Sequence, residues 1–243
     1  MRFAPHPHTE ICLLAMAQEE LPVRVRRSPR ARRMILRLDG ASGEPILTLP
    51  QAVPLAAGEA FLQRHRAWLE RRMRERPEAI PFAAGEVIPL RGEGRRIVAM
   101  PGRGLPRAAL QEDERVILVP GDPRHLARRL TDWLRREARR DLEAASHRYA
   151  ERLGVRFGRL ALRDTTSRWG SCSSRGTLSF SWRLILAPSP VLDYVAAHEV
   201  AHLKEMNHSQ RFWRLVRELE PGCEEARLWL KENGAGLHRL GRG

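Results

Sequence analysis

The residues of this chain best suited to chemistry are His198, Glu199 and His202, in the sequence His-Glu-Val-Ala-His. Residues four apart on a helix lie on one face, one turn from each other, so both imidazoles can approach one metal ion. Zinc accepts imidazole nitrogen at about 2.0–2.1 Å, and a glutamate after the first ligand can reach a water at the metal. The spacing therefore predicts a Zn²⁺ site with His198 and His202 as ligands and Glu199 as general base. The alternative is a pair of core histidines bonded to the backbone.

A catalytic zinc ion usually has a third protein ligand, and His208 is the best candidate. Six more residues of helix would rotate His208 about 240° from His202, so the helix must end between the two histidines. Asn207 tolerates the left-handed conformation that ends helices, and we predict the break there. The alternative is a surface His208 that caps the next helix. A carboxylate such as Glu218 or Glu224 is then the rival third ligand.

The helix that carries the motif is predicted from Ser189 to about Glu205. Ser189 is expected to cap its first amides, and Pro190 suits the first helical position. Its other residues are mostly apolar, which indicates a buried helix. Three further helices are predicted around it, at about 123–153, 210–219 and 224–231.

Short apolar runs punctuated by Gly and Pro predict strands before the long helix and between it and the histidine motif. The first three, near Val23–Arg26, Met34–Leu38 and Ile46–Leu49, indicate an antiparallel β unit. One helix, in which apolar residues recur from Phe61 to Met73, follows them.

The segment from Arg168 to Ser174 is rich in Gly and Ser, which suits a tight turn whose amides could face an anion. Arg168 could pair with a phosphate or carboxylate of the substrate, and Arg183 is a second candidate for substrate binding. Cys172 could be a nucleophile, although no base for it is evident. The alternative is a structural turn that packs against the histidine helix.

The composition is that of a soluble globular protein, with 42% apolar and 30% charged residues. No apolar run is long enough for a membrane helix, and the three cysteines do not form a disulfide framework, so we expect a cytoplasmic protein. The formal charge is +14, and lysine occurs only at Lys204 and Lys231. A field this positive attracts phosphate, which makes nucleic acid or a nucleotide a possible partner. The alternative is a solvated basic surface.

The motifs of the second half resemble those of the YgjP-like family of predicted zinc metallopeptidases, which is related to SprT-like zincins. The resemblance rests on 168–173, 187–188, 198–203, 207–209 and 212–213, and on Ser28-Pro29-Arg30-Ala31-Arg32-Arg33 in the first half. It spans about residues 21–235 and implies that His198, His202 and His208 are the ligands. The spacing also fits metzincins, but Glu205 stands where their motif has glycine, which favours the YgjP-like family.

Together these features predict an α+β fold, with a β-rich N-terminal unit followed by a zincin-like helical unit with a small antiparallel sheet. We expect a leader of uncertain structure at 1–20, the β-rich unit with one helix at 21–120, the metal-binding catalytic unit at 121–235, and a tail at 236–243.

Three functions are compatible with the sequence, and we favour a zinc metallopeptidase that acts on a peptide or protein. The SprT relatives suggest peptide substrates on proteins bound to nucleic acid. The second is a metal-dependent hydrolase of a nucleoside triphosphate, because zinc-activated water also attacks phosphorus. The third is a nucleic-acid-binding protein with a structural zinc, although such sites usually have four protein ligands.

Overall fold

The computed structural model describes residues 10–16, 20–39, 43–74 and 79–241. Most of the predicted leader, at 1–9 and 17–19, and the end of the predicted tail, at 242–243, lie outside the described residues. Groups of strands are followed by helices along the chain, which confirms the predicted α+β class. The chain folds into two compact units that divide between Pro77 and Glu78.

The first unit is a four-stranded sheet with two helices. Its elements are β1 (Glu10–Ala15), β2 (Glu20–Ser28), β3 (Ile35–Leu38), β4 (Pro45–Pro50), α1 (Leu55–Arg64) and α2 (Arg66–Arg74). Alternate residues of the strands point to one face and share a core with Leu62 and Leu69 of the helices. The predicted single helix is interrupted at His65, where α1 ends.

The strand order of this sheet is β1-β2-β4-β3. The prediction of a purely antiparallel unit is wrong, because β2 pairs in parallel with β4. Strand β3 lies at the edge of the sheet and pairs only with β4 among the described strands, in antiparallel direction. Strand β4 therefore runs in the same direction as β2.

The second unit begins with another four-stranded sheet, formed by β5 (Val87–Leu90), β6 (Glu93–Met100), β7 (Arg107–Gln111) and β8 (Glu114–Pro120). Its order, β5-β6-β8-β7, and its pairing directions repeat those of the first sheet. Its apolar residues, such as Ile88, Ile97 and Ile117, belong to the same core as the helices that follow. The structure thus groups 79–120 with the helices, and the boundary expected at residue 120 stays a prediction.

A long helix, α3 (Leu126–Leu153), follows a 3₁₀ turn at Pro123–His125 and ends at Gly154, whose φ is 65°. The small sheet then contains β9 (Arg159–Arg163), β10 (Gly170–Cys172) and β11 (Thr177–Ser181), in the order β10-β11-β9. This sheet is mixed and not antiparallel as predicted, because β11 is antiparallel to β10 but parallel to β9.

Three helices complete the unit: α4 (Ser189–Ala201), α5 (Gln210–Leu219) and α6 (Cys223–Leu237). The predicted cap is wrong, because Pro188 occupies the N-cap position of α4 and no side chain caps it. Ser189 is instead the first helical residue. Helix α4 is buried along most of its length between α3, α5, α6 and β10.

Within the ranges that the structure describes, no helix combines the length and the apolar character needed to cross a membrane.

Candidate metal centre

Helix α4 places His198 and His202 one turn apart, with ring centroids 5.0 Å from each other. His202 is 8% exposed and His198 is half-buried. Burial lowers the pKa of His198 to about 4, and the neighbouring His202 and His208 act in the same direction. A neutral imidazole keeps a lone pair for a metal ion, so this environment suits a ligand.

A break in the helix brings the third histidine back to the first two. Helix α4 ends at Ala201, and His202 is its C-cap residue. The backbone N–H groups of Lys204 and Glu205 both donate to the Ala201 carbonyl and form a tight turn. The helix breaks before His208, as predicted, but Asn207 does not make the break, because the helix has already ended and the φ angle of Asn207 is not positive.

The next helix, α5, begins directly after His208. The Ser209 hydroxyl caps it by accepting a hydrogen bond of 3.3 Å from the Phe212 N–H. The Nε2 atoms of His208 and His198 are then 3.1 Å apart.

These three imidazoles fit a single divalent ion. One ligand nitrogen from each of His198, His202 and His208 lies within 4.8 Å of the others. Two imidazoles on one tetrahedral zinc ion, at about 2.0–2.1 Å each, hold their nitrogens about 3.3 Å apart. The observed separation of 3.1 Å between His198 and His208 is close to that value.

The rival carboxylates are not part of the cluster. Glu218 and Glu224 are exposed, and Glu224 is paired with Arg227 at 3.2 Å. Among the described residues, the group that could hold a metal is made of the three histidines alone.

His202 is oriented by a hydrogen bond and by an aromatic ring. Its Nδ1 lies 3.1 Å from the Glu205 carbonyl, which fixes the tautomer with the proton on Nδ1 and leaves the Nε2 lone pair free. Phe212, which is fully buried, stacks on the imidazole with a centroid distance of 4.5 Å and an interplanar angle of 28°. Phe212 also contacts His198 and His208 edge-on, at 4.9 and 4.8 Å. The sequence marks Phe212 only as part of the resemblance and indicates no contact with the histidines.

Glu199 is held against the small sheet. It is 5% exposed, and a Cβ atom on Gly170 would lie 2.5 Å from its Oε1. The backbone N–H of Cys172 lies near the carboxylate and favours its charged form, while Oε2 has no hydrogen-bond partner among the described residues. Burial raises the pKa of Glu199 to about 7, while the charge of Arg168 and the Cys172 N–H oppose the rise. The sequence gives one signal for this contact, a glycine inside the Trp169-Gly170-Ser171 step, which we did not interpret.

Arg168 lies at the start of this segment, exposed and close enough to influence Glu199 electrostatically. It lines a cavity of about 240 Å³ together with Arg163 of β9. Trp169 stacks on His238 with a centroid distance of 4.7 Å, which indicates a structural role for this ring. Burial raises the pKa of Cys172 to about 11, and this disfavours the thiolate that a nucleophile would need.

Arg183 is buried away from solvent, with 3% of its surface exposed. It forms an ion pair of 2.7 Å with Asp164 and donates to the carbonyls of Leu237 and Leu240. These contacts tie the small sheet to the end of α6. These contacts use the guanidinium group inside the protein, so Arg183 is not available to bind a substrate.

Two solved structures of metallopeptidase zymogens resemble part of the chain. The zymogen of Pyrococcus abyssi abylysin is 26% identical, with a TM-score of 0.34 over 37% of this chain and 93% of that chain. The zymogen of Methanocaldococcus jannaschii jannalysin is 19% identical, with a TM-score of 0.34 over 38% of this chain and 88% of that chain.

The chain is also similar to a curated protein, the UTP pyrophosphatase of Escherichia coli (strain K12). The two are 36% identical over 58 residues, which are 22% of this chain and 35% of that protein. The match thus spans about a third of the length of this relative.

The family model described as YgjP-like, metallopeptidase domain, matches residues 32–233. This match includes the three histidines that could hold a metal, which sets aside the alternative of a non-enzymatic protein with a structural zinc. Because the model covers most of the chain, the protein belongs to the YgjP-like family and is a metal-dependent hydrolase with a metallopeptidase domain.

Proposed function

We propose that the chain is a zinc peptidase in which His198, His202 and His208 hold the ion and Glu199 is the general base. The observation that carries this proposal is the position of Glu199, a buried carboxylate that lies between the histidine helix and β10. Three imidazoles leave a fourth position of a tetrahedral ion open, as hydrolysis requires.

The small sheet offers a place for a peptide. Strand β10 is at the edge of the sheet, and among the described strands it pairs only with β11. An extended peptide can add to such an edge through main-chain hydrogen bonds, about 4.7–4.9 Å from the strand. Because Gly170 and Cys172 of β10 both contact Glu199, a peptide on this edge would run close to the carboxylate.

When bound, zinc would polarise the peptide carbonyl and lower the pKa of a water molecule to about 7. Glu199 takes the proton of the attacking water and delivers it to the nitrogen of the leaving amine. The nearby Cys172 N–H favours the charged carboxylate, which is the form of Glu199 that accepts a proton. The hydrogen bond from His202 Nδ1 to the Glu205 carbonyl leaves the Nε2 lone pair free, so this atom would be available to hold the ion.

The test is cleavage of a quenched-fluorescent peptide library by zinc-loaded wild type and by Glu199→Gln. The matched control is Glu232→Gln, which removes the same charge from an exposed position on α6. We expect Glu199→Gln to keep its metal and lose about 10²- to 10⁴-fold in kcat/KM, while the control is unchanged. If wild type with its full metal content cleaves no peptide or protein, peptidase activity is refuted.

A second candidate, hydrolysis of a nucleoside triphosphate, is favoured by the cavity beside β10. Its lining includes the guanidinium groups of Arg163 and Arg168 and several hydroxyls, with no carboxylate from the described residues, a combination that suits phosphate. The name of the partial relative, UTP pyrophosphatase, points to the same substrate class. Arg163 was not singled out in the sequence.

Pyrophosphate release from a panel of nucleoside triphosphates tests this candidate. Arg163→Ala should raise KM for the nucleotide, whereas Arg159→Ala, which removes an exposed arginine from the same strand, should not. Equal KM values for the two variants would argue against phosphate binding in this cavity. Peptide cleavage without nucleotide hydrolysis would leave only the first candidate.

A further inference from the structure

The first compact unit contains a groove that the metal chemistry does not use. One side of the groove is edge strand β3 and the two residues before it, and the other side is formed by the helices α1 and α2. The groove has a volume of about 340 Å³. Met34 and Ile35 line the strand side. Phe61 of α1, His65 at the junction of the two helices and Trp68 of α2 line the helix side.

The groove presents flat rings at its surface. Phe61 and His65 are stacked, with centroids 4.1 Å apart and an interplanar angle of 26°. His65 Nδ1 lies 2.9 Å from the Phe61 carbonyl, which fixes the imidazole in this position. Trp68 is 36% exposed and Ile35 is 43% exposed, an unusual degree for large apolar side chains so close together.

Exposed arginines flank these rings. Three lie on the strand side, at Arg32, Arg33 and Arg37, and two lie within one helical turn of Trp68, at Arg64 and Arg71. All five are exposed, and none has an ion pair among the described residues.

Three other arginines of the same unit are paired. Arg27 bonds to Glu10 at 3.2 Å, Arg66 bonds to Glu70 at 2.9 Å, and Arg24 is paired with Glu44. In the described part of the unit, no acidic residue lines the groove. The groove is therefore lined by apolar and aromatic side chains with arginines beside them.

We propose that this groove binds single-stranded nucleic acid, with bases stacked on the rings of Phe61, His65 and Trp68 and phosphates held by the flanking arginines. Nonspecific binding of single strands uses this combination, because every base has a flat face and every nucleotide a negative charge. An acidic peptide would satisfy the arginines but has no flat groups for the rings. The proposal is independent of the metal centre, so the two stand or fall separately.

The test uses the full chain and a fluorescein-labelled oligo(dT) of about 12 nucleotides, with binding followed by anisotropy at several salt concentrations. Oligo(U), a duplex of equal length and a poly-glutamate peptide serve as comparison ligands. Trp68→Ala should weaken oligo(dT) binding at least about fivefold, which corresponds to stacking of ~1 kcal/mol, and Trp68→Phe should keep most of it.

Charge is tested separately from stacking. The double variant Arg33→Ala/Arg37→Ala should lower the slope of log K against log salt by about 1.4, or ~0.7 for each lost phosphate contact. The control is Arg107→Ala/Arg156→Ala, which removes the same charge from two exposed positions of the second unit. Thermal unfolding of each variant confirms that it is folded.

Three results together would support the proposal. Oligo(dT) or oligo(U) should bind more tightly than the duplex, Trp68→Ala should lose affinity for oligo(dT), and the slope of log K against log salt should fall only in Arg33→Ala/Arg37→Ala. If duplex and single strand bind equally well and Trp68→Ala leaves the affinity unchanged, the proposal is overturned in favour of a general basic surface. Competition by poly-glutamate at equal strength would overturn it in favour of an acidic peptide. Absence of binding even at low salt would also overturn it.

Discussion

Replacement of Gly170 by alanine perturbs the contact between β10 and Glu199 most directly. The added Cβ would lie 2.5 Å from Oε1, 2.7 Å from Cγ and 2.9 Å from Cδ of Glu199. Gly170 does not have a positive φ, so alanine suits the backbone and the clash is the whole effect. Non-bonded heavy atoms prefer about 3.5–4.0 Å, so the carboxylate or the strand must move by about 1 Å.

The magnitude follows from that displacement. Misplacing a catalytic group by about 1 Å costs about 10²-fold in rate, and we expect a loss of this size in kcat. Overpacking of a buried site costs typically ~1–3 kcal/mol in the free energy of unfolding, which lowers Tm by about 2–4 °C per kcal/mol. The three atoms nearest the added methyl group all belong to Glu199 and none to a histidine, so the metal content should stay at the wild-type level.

The assay compares Gly170→Ala with Gly236→Ala for hydrolysis, metal content and Tm. Gly236 is in α6, and a Cβ atom there would meet no other atom within 4 Å, so this control should keep wild-type activity. Full activity in Gly170→Ala would show that Glu199 is not confined by β10 and would refute the reasoning. Loss of metal in Gly170→Ala would show that the strand supports the ligands and not the carboxylate.

Four further outcomes are expected. Phe212→Ala should lower the free energy of unfolding by ~3–5 kcal/mol and weaken metal binding, because it removes the ring stacked on His202; chemical denaturation and metal titration measure both. Arg183→Met should destabilise by ~1–3 kcal/mol because it removes the ion pair with Asp164 and the donor to two carbonyls, while KM for any substrate stays unchanged. Cys172→Ser should keep hydrolysis, since burial that raises the thiol pKa to about 11 disfavours a thiolate nucleophile. Metal at a hundredfold excess over its Kd should stabilise the chelated protein by ~2.7 kcal/mol, as followed by Tm during zinc titration.

The parts of the site that sequence predicts best are those fixed by local geometry. His198 and His202 meet because four residues of helix return to one face, and that spacing is visible without a structure. His208 was also predicted to join them, and the structure brings it within reach. The position of the break was wrong, since the turn after Ala201 depends on backbone hydrogen bonds and not on the residue type of Asn207.

Contacts between distant segments were not predictable in this way. Gly170 meets Glu199 through the packing of β10 on α4, and the sequence signals only a glycine-containing segment that could pack on the histidine helix, not the contact with Glu199 itself. Arg183 was predicted as a second candidate for substrate binding, yet it is buried, with an ion pair to Asp164 and hydrogen bonds to the carbonyls of Leu237 and Leu240.

Strand order has the same origin. Short apolar runs predict that strands exist, but the parallel pairs β2–β4, β6–β8 and β9–β11 each skip an intervening strand. Such pairings are decided by how the sheet packs on its helices, which periodicity does not show.

The most direct test of the three-histidine metal centre is the metal content of wild type, His208→Ala and Glu199→Gln, purified identically and measured by mass spectrometry. The account predicts one zinc ion per chain in wild type and in Glu199→Gln, and loss of the ion in His208→Ala. Full retention of zinc in His208→Ala, or no metal in wild type after reconstitution, would contradict it.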